Sequence, residues 1–154
     1  MIFAIYWLLG WLSGIGAVLL GPGTNSPAEV CQTLLFYQLS ITLSLSGLTS
    51  FIGHVFKSDF VAEKIGWDTG SPFQKELGFA QLGFAIVGFA SIWQGNEFRL
   101  AAILCSSPLY FLAGIKHIKE MIINKNYHSH NTWTIIPDIL MPLSWIILFI
   151  LSYR

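Results

Sequence analysis

Five ionisable side chains, His54, Glu76, His117, Glu120 and Asp138, hold most of the chemistry open to this sequence. Imidazole and carboxylate are ligands for zinc, iron or manganese, and are equally the groups that pass protons. His54, Glu76 and His117 form the core of a candidate metal set, with Glu120 and Asp138 as additions, and the bound species could be a metal ion or haem. His117 and Glu120 are three residues apart and so share a helix face. No His-Glu-x-x-His motif and no Cys-x-x-Cys pair accompanies them. The competing reading is interfacial, with Lys116 or Lys119 pairing with Glu120 along one helix and long side chains reaching toward the headgroups. His128 and His130, separated by one residue, read as solvated loop residues that could add a ligand.

Composition says what must position these groups. Of 154 residues, 54% are hydrophobic and only 10% are charged, with eight basic and eight acidic side chains. Soluble domains carry about 25% charged residues. That deficit excludes a soluble enzyme and a disordered tail, and the absence of a basic excess excludes a nucleic-acid binder. An integral membrane protein is expected. A bilayer core about 30 Å thick needs roughly 20 apolar residues per helix. Five stretches qualify: Ile2–Leu20, Val30–Phe56, Phe73–Trp93, Phe98–Ile123 and Trp133–Tyr153. They are continuously apolar rather than alternating, which excludes a barrel. The expected fold is all-α, a single transmembrane domain over residues 1–154 with five transmembrane helices. A short interfacial helix is expected near Ser58–Trp67, with Trp67 at headgroup level.

The first stretch lacks a basic flank and a small-x-small cleavage site, so it reads as a retained helix rather than a signal peptide. Cys31 and Cys105 fall at different depths and read as small apolar fillers rather than a disulfide. With five spans, the second-to-third and fourth-to-fifth connections share the side of the N-terminus. They carry Lys57, Lys64, Lys75, Lys116, Lys119 and Lys125, against Arg99 and Arg154 opposite. That asymmetry places the N-terminus in the cytoplasm and the C-terminus outside. Gly21–Ala28 reads as a turn that ends the first helix. Ser71, Pro72 and Gln74 read as a helix start, Ser71 the N-cap and Gln74 its capping-box partner. Asn124–Asn131 reads as a polar loop.

Two helices carry patterns of their own. Residues 78–92 repeat Gly-Phe-Ala three times at a five-residue period. Each step advances about 140° net around a helix, so the glycines do not form one stripe and the segment reads as a packing helix. In the second stretch Gln38, Thr42, Ser46, Ser50 and His54 recur at every fourth position. Such a ridge should face the bundle interior, as interhelical hydrogen-bond glue or as a wet track ending at His54.

The run Ile65-Gly66-Trp67-x-x-Gly70-Ser71-Pro72-Phe73-Gln74-x-Glu76-x-Gly78, with His54 upstream and Gly114-x-x-His117 downstream, resembles the signature of a family of small uncharacterised prokaryotic membrane proteins. More loosely, the helix layout is similar to DoxX-like proteins. The first resemblance implies matching positions for His54, Trp67, Glu76 and His117 and a place in the prokaryotic inner membrane. It brings no activity, and no catalytic residue is assigned. The function expected is therefore an accessory or structural subunit of a membrane assembly. Its partners are lipids and either further copies of itself or other membrane subunits, with no nucleic acid. The alternative is a membrane redox or metal-binding protein using the histidine–carboxylate set at the cytoplasmic side.

Overall fold

Nineteen uncharged residues, Ile2–Leu20, form helix α1. The computed structural model describes residues 2–21 and 26–153, and over these the chain contains helices and no strand. Helix α2 runs from Pro27 to Phe56. It starts earlier than the apolar pattern predicts because a capping box stands there. The Ser26 hydroxyl accepts from the Glu29 backbone N–H, and the Ser26 N–H donates to the Glu29 carboxylate, each at 3.2 Å. Pro27 fills the first turn, where its missing N–H costs nothing. Of the turn expected over Gly21–Ala28, residues 22–25 lie outside the described residues.

Helix α3 covers Ser58–Ile65, as expected. Helices α4 (Phe73–Ala90), α5 (Asn96–Ile123) and α6 (Ser129–Leu151) complete the chain. Four of the helices, α1, α2, α5 and α6, are long and apolar enough to cross a membrane. The expected count of five is not reached by length and composition alone. Gln74, Lys75 and Glu76 occupy the first turn of α4 and dilute its apolar character. The expected capping box at Ser71 is also absent. No side chain caps α4, and the Gln74 amide oxygen lies instead 3.3 Å from His54 Nδ1.

The polar ridge of α2 does turn inward: Gln38, Thr42 and Ser46 are fully buried and Ser50 nearly so. Gln38 Nε2 donates to the Trp7 carbonyl at 3.1 Å and Thr42 Oγ1 to the Tyr6 carbonyl at 3.0 Å, both on α1. Trp145 Nε1 on α6 donates to Gln38 Oε1 at 3.3 Å. These bonds lie at Gln38–Leu43, where α2 widens into a π-helical segment. Such insertions re-aim side chains within an otherwise regular helix. Gly10 and Gly14, the buried residues of α1, face Gln38 and Thr42 and then Leu34 and Tyr37, so the two helices approach closely. Ridge and glycines together act as interhelical glue.

Helix α4 lies antiparallel on α2, with Gly78 against His54 and Val55 and Gly88 against Ser44. Its buried residues are Gly78, Gln81, Ala85 and Gly88, a spacing of three, four and three that makes a narrow packing seam. Gly83 meets nothing, so the repeat splits its glycines between two sides as its period requires. Trp145, Tyr110, Met141 and Ile103 fill the space between α5, α6 and α2. Tyr110 and Trp145 meet edge to face at 5.8 Å.

Candidate functional site

Gly114 has no side chain, and that decides how near α6 comes to α5. A Cβ there would lie 2.9 Å from Ile139 Cδ1 and 3.2 Å from the Cβ of Asp138. One turn further along α5, His117 therefore meets Asp138, with Nε2 and Oδ2 3.9 Å apart. Both side chains are less than a tenth exposed. Ionisable groups buried in helices apolar enough to cross a membrane are costly unless they satisfy one another.

Asn131, fully buried at the start of α6, fixes the imidazole. Its Nδ2 donates to the His117 carbonyl at 3.2 Å and to the Asn126 carbonyl at 3.0 Å. Two carbonyls can only accept, so the amide orientation is determined and Oδ1 is the atom facing His117 Nδ1 at 2.7 Å. An oxygen there requires Nδ1 to carry a proton. In neutral His117 the lone pair is then on Nε2, aimed at Asp138.

Trp67 covers the imidazole. Gly66 ends α3 in the left-handed region at φ +81°, a conformation glycine adopts without steric penalty, and the chain turns back. The Trp67 indole then stacks on the His117 ring, centroids 5.5 Å apart and planes 20° from parallel. Lys116 Nζ sits 4.8 Å from the Trp67 ring centroid, a cation–π contact that holds the indole from its own helix. The indole Nε1 is buried and has no hydrogen-bond partner among the described residues. Asn126 closes the arrangement, donating to the Ile65 carbonyl at 2.9 Å and accepting from the His128 N–H at 3.2 Å. On the inner side, Tyr110 Oη donates to Gln81 Oε1 at 3.5 Å, joining α5 to α4.

The five sequence candidates thus do not gather into one group. Among the described residues, no three of His, Cys, Asp and Glu lie together so as to hold a metal ion. His54 pairs with Gln74, and Glu76 is exposed on the first turn of α4. Glu120 accepts from Asn124 Nδ2 at 2.9 Å and lies 4.0 Å from Lys116 Nζ, the expected pairing along one helix. His117 and Asp138 alone meet, and His128 and His130 are exposed. Cys31 and Cys105 are both free thiols.

Comparison with known families covers the chain from end to end, with a family model matching residues 1–154. The chain belongs to DUF6790, a family of unknown function. No curated protein and no solved structure matches it. For this DUF6790 chain the geometry promotes residues that the sequence reading passed over. Asn126 and Asn131 fell within an expected polar loop, yet both are buried and one orients the histidine. Their signal was weak, an asparagine on either side of the α5–α6 connection. Gly114 was legible in its spacing to His117, although the reason, close approach of α6, needs the packing. Trp67, expected at headgroup level, stacks on the imidazole, a contact the sequence did not suggest.

Proposed function

We propose that this DUF6790 chain is a five-span protein of the cytoplasmic membrane, its N-terminus in the cytoplasm, serving as an accessory or structural subunit of a membrane assembly. The fifth span is α4. At 18 residues it is about 27 Å long, close to the thickness of a bilayer core of about 30 Å, and the turn at residues 91–93 extends it. Its direction supports the crossing. It leaves the end of the bundle where His54 meets Gln74, and the next helix, α5, returns to bring His117 under Trp67. The lysines of residues 57–75 and 116–125 accordingly flank one end, the pattern of a cytoplasmic face. The likeness to DoxX-like proteins rests on layout and supplies no residue to this reading.

The observation that carries the subunit role is the open side of α4. Its seam faces α2, while Phe79, Ile86 and Phe89 are exposed. Beside it runs a groove of about 490 Å³ between α4 and the π-helical part of α2, floored by Ser40, Ser44 and Ala85 and walled by Leu48, Ile86 and Phe89. Small residues between apolar walls suit the side chains of a neighbouring transmembrane helix. The test is mass in a lipid nanodisc. The protein should run as a multiple of the 17.2 kDa chain or with a second membrane chain bound. Cysteines placed at Leu48 or Ile86 should cross-link to the neighbour. A single chain at every lipid composition, with no cross-link, overturns the reading.

A further inference from the structure

The orientation of Asn131 has a chemical consequence at the other side of the imidazole. With Nδ1 committed as a donor to Asn131, neutral His117 turns a lone pair toward Asp138 Oδ2, 3.9 Å away. An ionised Asp138 would then face a lone pair, two acceptors opposed where both side chains are less than a tenth exposed. With both groups protonated, two N–H and O–H bonds would compete for the same space beside an unbalanced positive charge. One proton between Nε2 and Oδ2 leaves the pair neutral overall, whichever atom holds it, and satisfies both atoms once a small side-chain movement brings them within hydrogen-bond distance.

We propose that His117 Nε2 and Asp138 Oδ2 share a single exchangeable proton, making the pair a proton-binding site inside the bundle. Within the pair, Nε2 and Oδ2 must first close from 3.9 Å to hydrogen-bond distance; transfer then breaks the Oδ2–H bond as the Nε2–H bond forms, turning acid and imidazole into carboxylate and imidazolium. Exchange with the outside passes the proton to or from water. The stacked Trp67 lies over the imidazole at that end, so exchange requires the indole to shift with the Gly66 turn. The charged groups around the pair are few. On α5, Lys116 and Glu120 act on His117 with opposite sign, and Tyr110 is in electrostatic reach of Asp138. From α6 comes neutral Asn131, from the α3–α4 connection Trp67, from α4 the Gln81 amide through Tyr110, and from α3 Lys64, which reaches His130. Without a net local charge to fix the proton, the pair is free to exchange it. The proposal rests on this geometry and not on the subunit role.

The experiment is a pH titration of the full chain in lipid nanodiscs, following the carboxyl carbon of Asp138 and both ring nitrogens of His117 by magnetic resonance. The chain has three aspartates, so replacing exposed Asp59 and Asp68 assigns the third signal without touching the pair. The expected result is an Nδ1 that stays protonated throughout. Nε2 and the Asp138 carboxyl should respond together in one single-proton step, and His117→Gln should move or abolish the carboxyl response. A bundle that stays folded while neither group responds to pH overturns the proposal. So does an Asp138 step unchanged by His117→Gln. Asp138→Asn serves as the control for the carboxyl signal. If that variant fails to fold, the unmodified pair still decides the matter.

Discussion

Replacing Gly47 with leucine is expected to separate α2 from α4 and destabilise the bundle by about 3 kcal/mol or more, the upper end of the usual overpacking range. The reason is what a side chain would strike. A Cβ at Gly47 would lie 2.6 Å from the Ala85 nitrogen, 2.7 Å from the Gln81 carbonyl oxygen and 3.1 Å from the Ala85 Cα. All three are backbone atoms of a helix, so no rotamer change relieves the clash and α4 as a whole must move. Gly88, with Ser44 N and Oγ each 2.8 Å from its own hypothetical Cβ, would be pulled off α2 with it. The matched control is Gly83→Leu on the same packing unit, where a Cβ meets nothing within 4 Å. Thermal unfolding in detergent should show a large loss for Gly47→Leu and little change for Gly83→Leu. Equal effects would mean that α4 does not rest on α2 through this seam.

Trp145→Ala is expected to cost about 3–5 kcal/mol, the range for removing a large aromatic from a packed core. Trp145 is completely buried, packs edge to face on Tyr110, and donates its indole N–H to Gln38 Oε1. Truncation leaves a cavity where α2, α5 and α6 meet. It also removes the indole donor from Gln38 Oε1, leaving Thr42 Oγ1 at 3.1 Å from that oxygen and the bond from Gln38 Nε2 to Trp7 in place. In lipid there is no water to drive burial, so the loss is one of packing and hydrogen bonding, felt chiefly as a cavity. Trp145→Phe, which keeps a ring but no N–H, should fall well short of the alanine effect. Chemical unfolding of the two variants measures the difference, and an alanine variant as stable as the parent would contradict the core described here.

Much of this architecture is legible in the residues themselves. Long, predominantly apolar runs favour helices, which is why α1, α2, α5 and α6 fall close to their expected bounds. Fourth-neighbour spacing told which way Gln38, Thr42, Ser46 and Ser50 face, because a polar ridge in hydrocarbon has nowhere else to go. The five-residue period told that the glycines would not form one stripe, and Gly83 is the one that meets nothing. The Gly10-x-x-x-Gly14 contact also stood in the sequence and went unread.

What depended on long-range packing was not legible. Gln74 can cap its own helix or turn to His54, and only the position of α2 chooses between them. Ser26 and Glu29 held an equally good capping box that an emphasis on apolar runs concealed. The arrangement of the candidate residues was equally hidden. Depth along the membrane brought His54, Glu76 and His117 to a similar level, but depth says nothing about rotation, and Glu76 points outward on α4. Asp138 gained its place because Gly114 lets α6 close on α5 opposite His117. The residue that orients the imidazole, Asn131, sits in a stretch whose composition resembles any solvated loop.

The central claim is that α4 crosses the membrane, placing the connections before and after it on opposite sides and the 66–72 and 124–128 connections on the same side. Single cysteines at exposed Asp68, Gln94 and Tyr127, with Cys31 and Cys105 replaced by alanine, test it by labelling intact cells with a membrane-impermeant thiol reagent. Tyr127 is the right probe for its connection, since neighbouring Asn126 is buried against the Ile65 carbonyl. The account predicts labelling at Gln94 alone, with Asp68 and Tyr127 reacting only after the cells are opened. Labelling that places Asp68 and Tyr127 on opposite faces would contradict it, and would part Trp67 from His117.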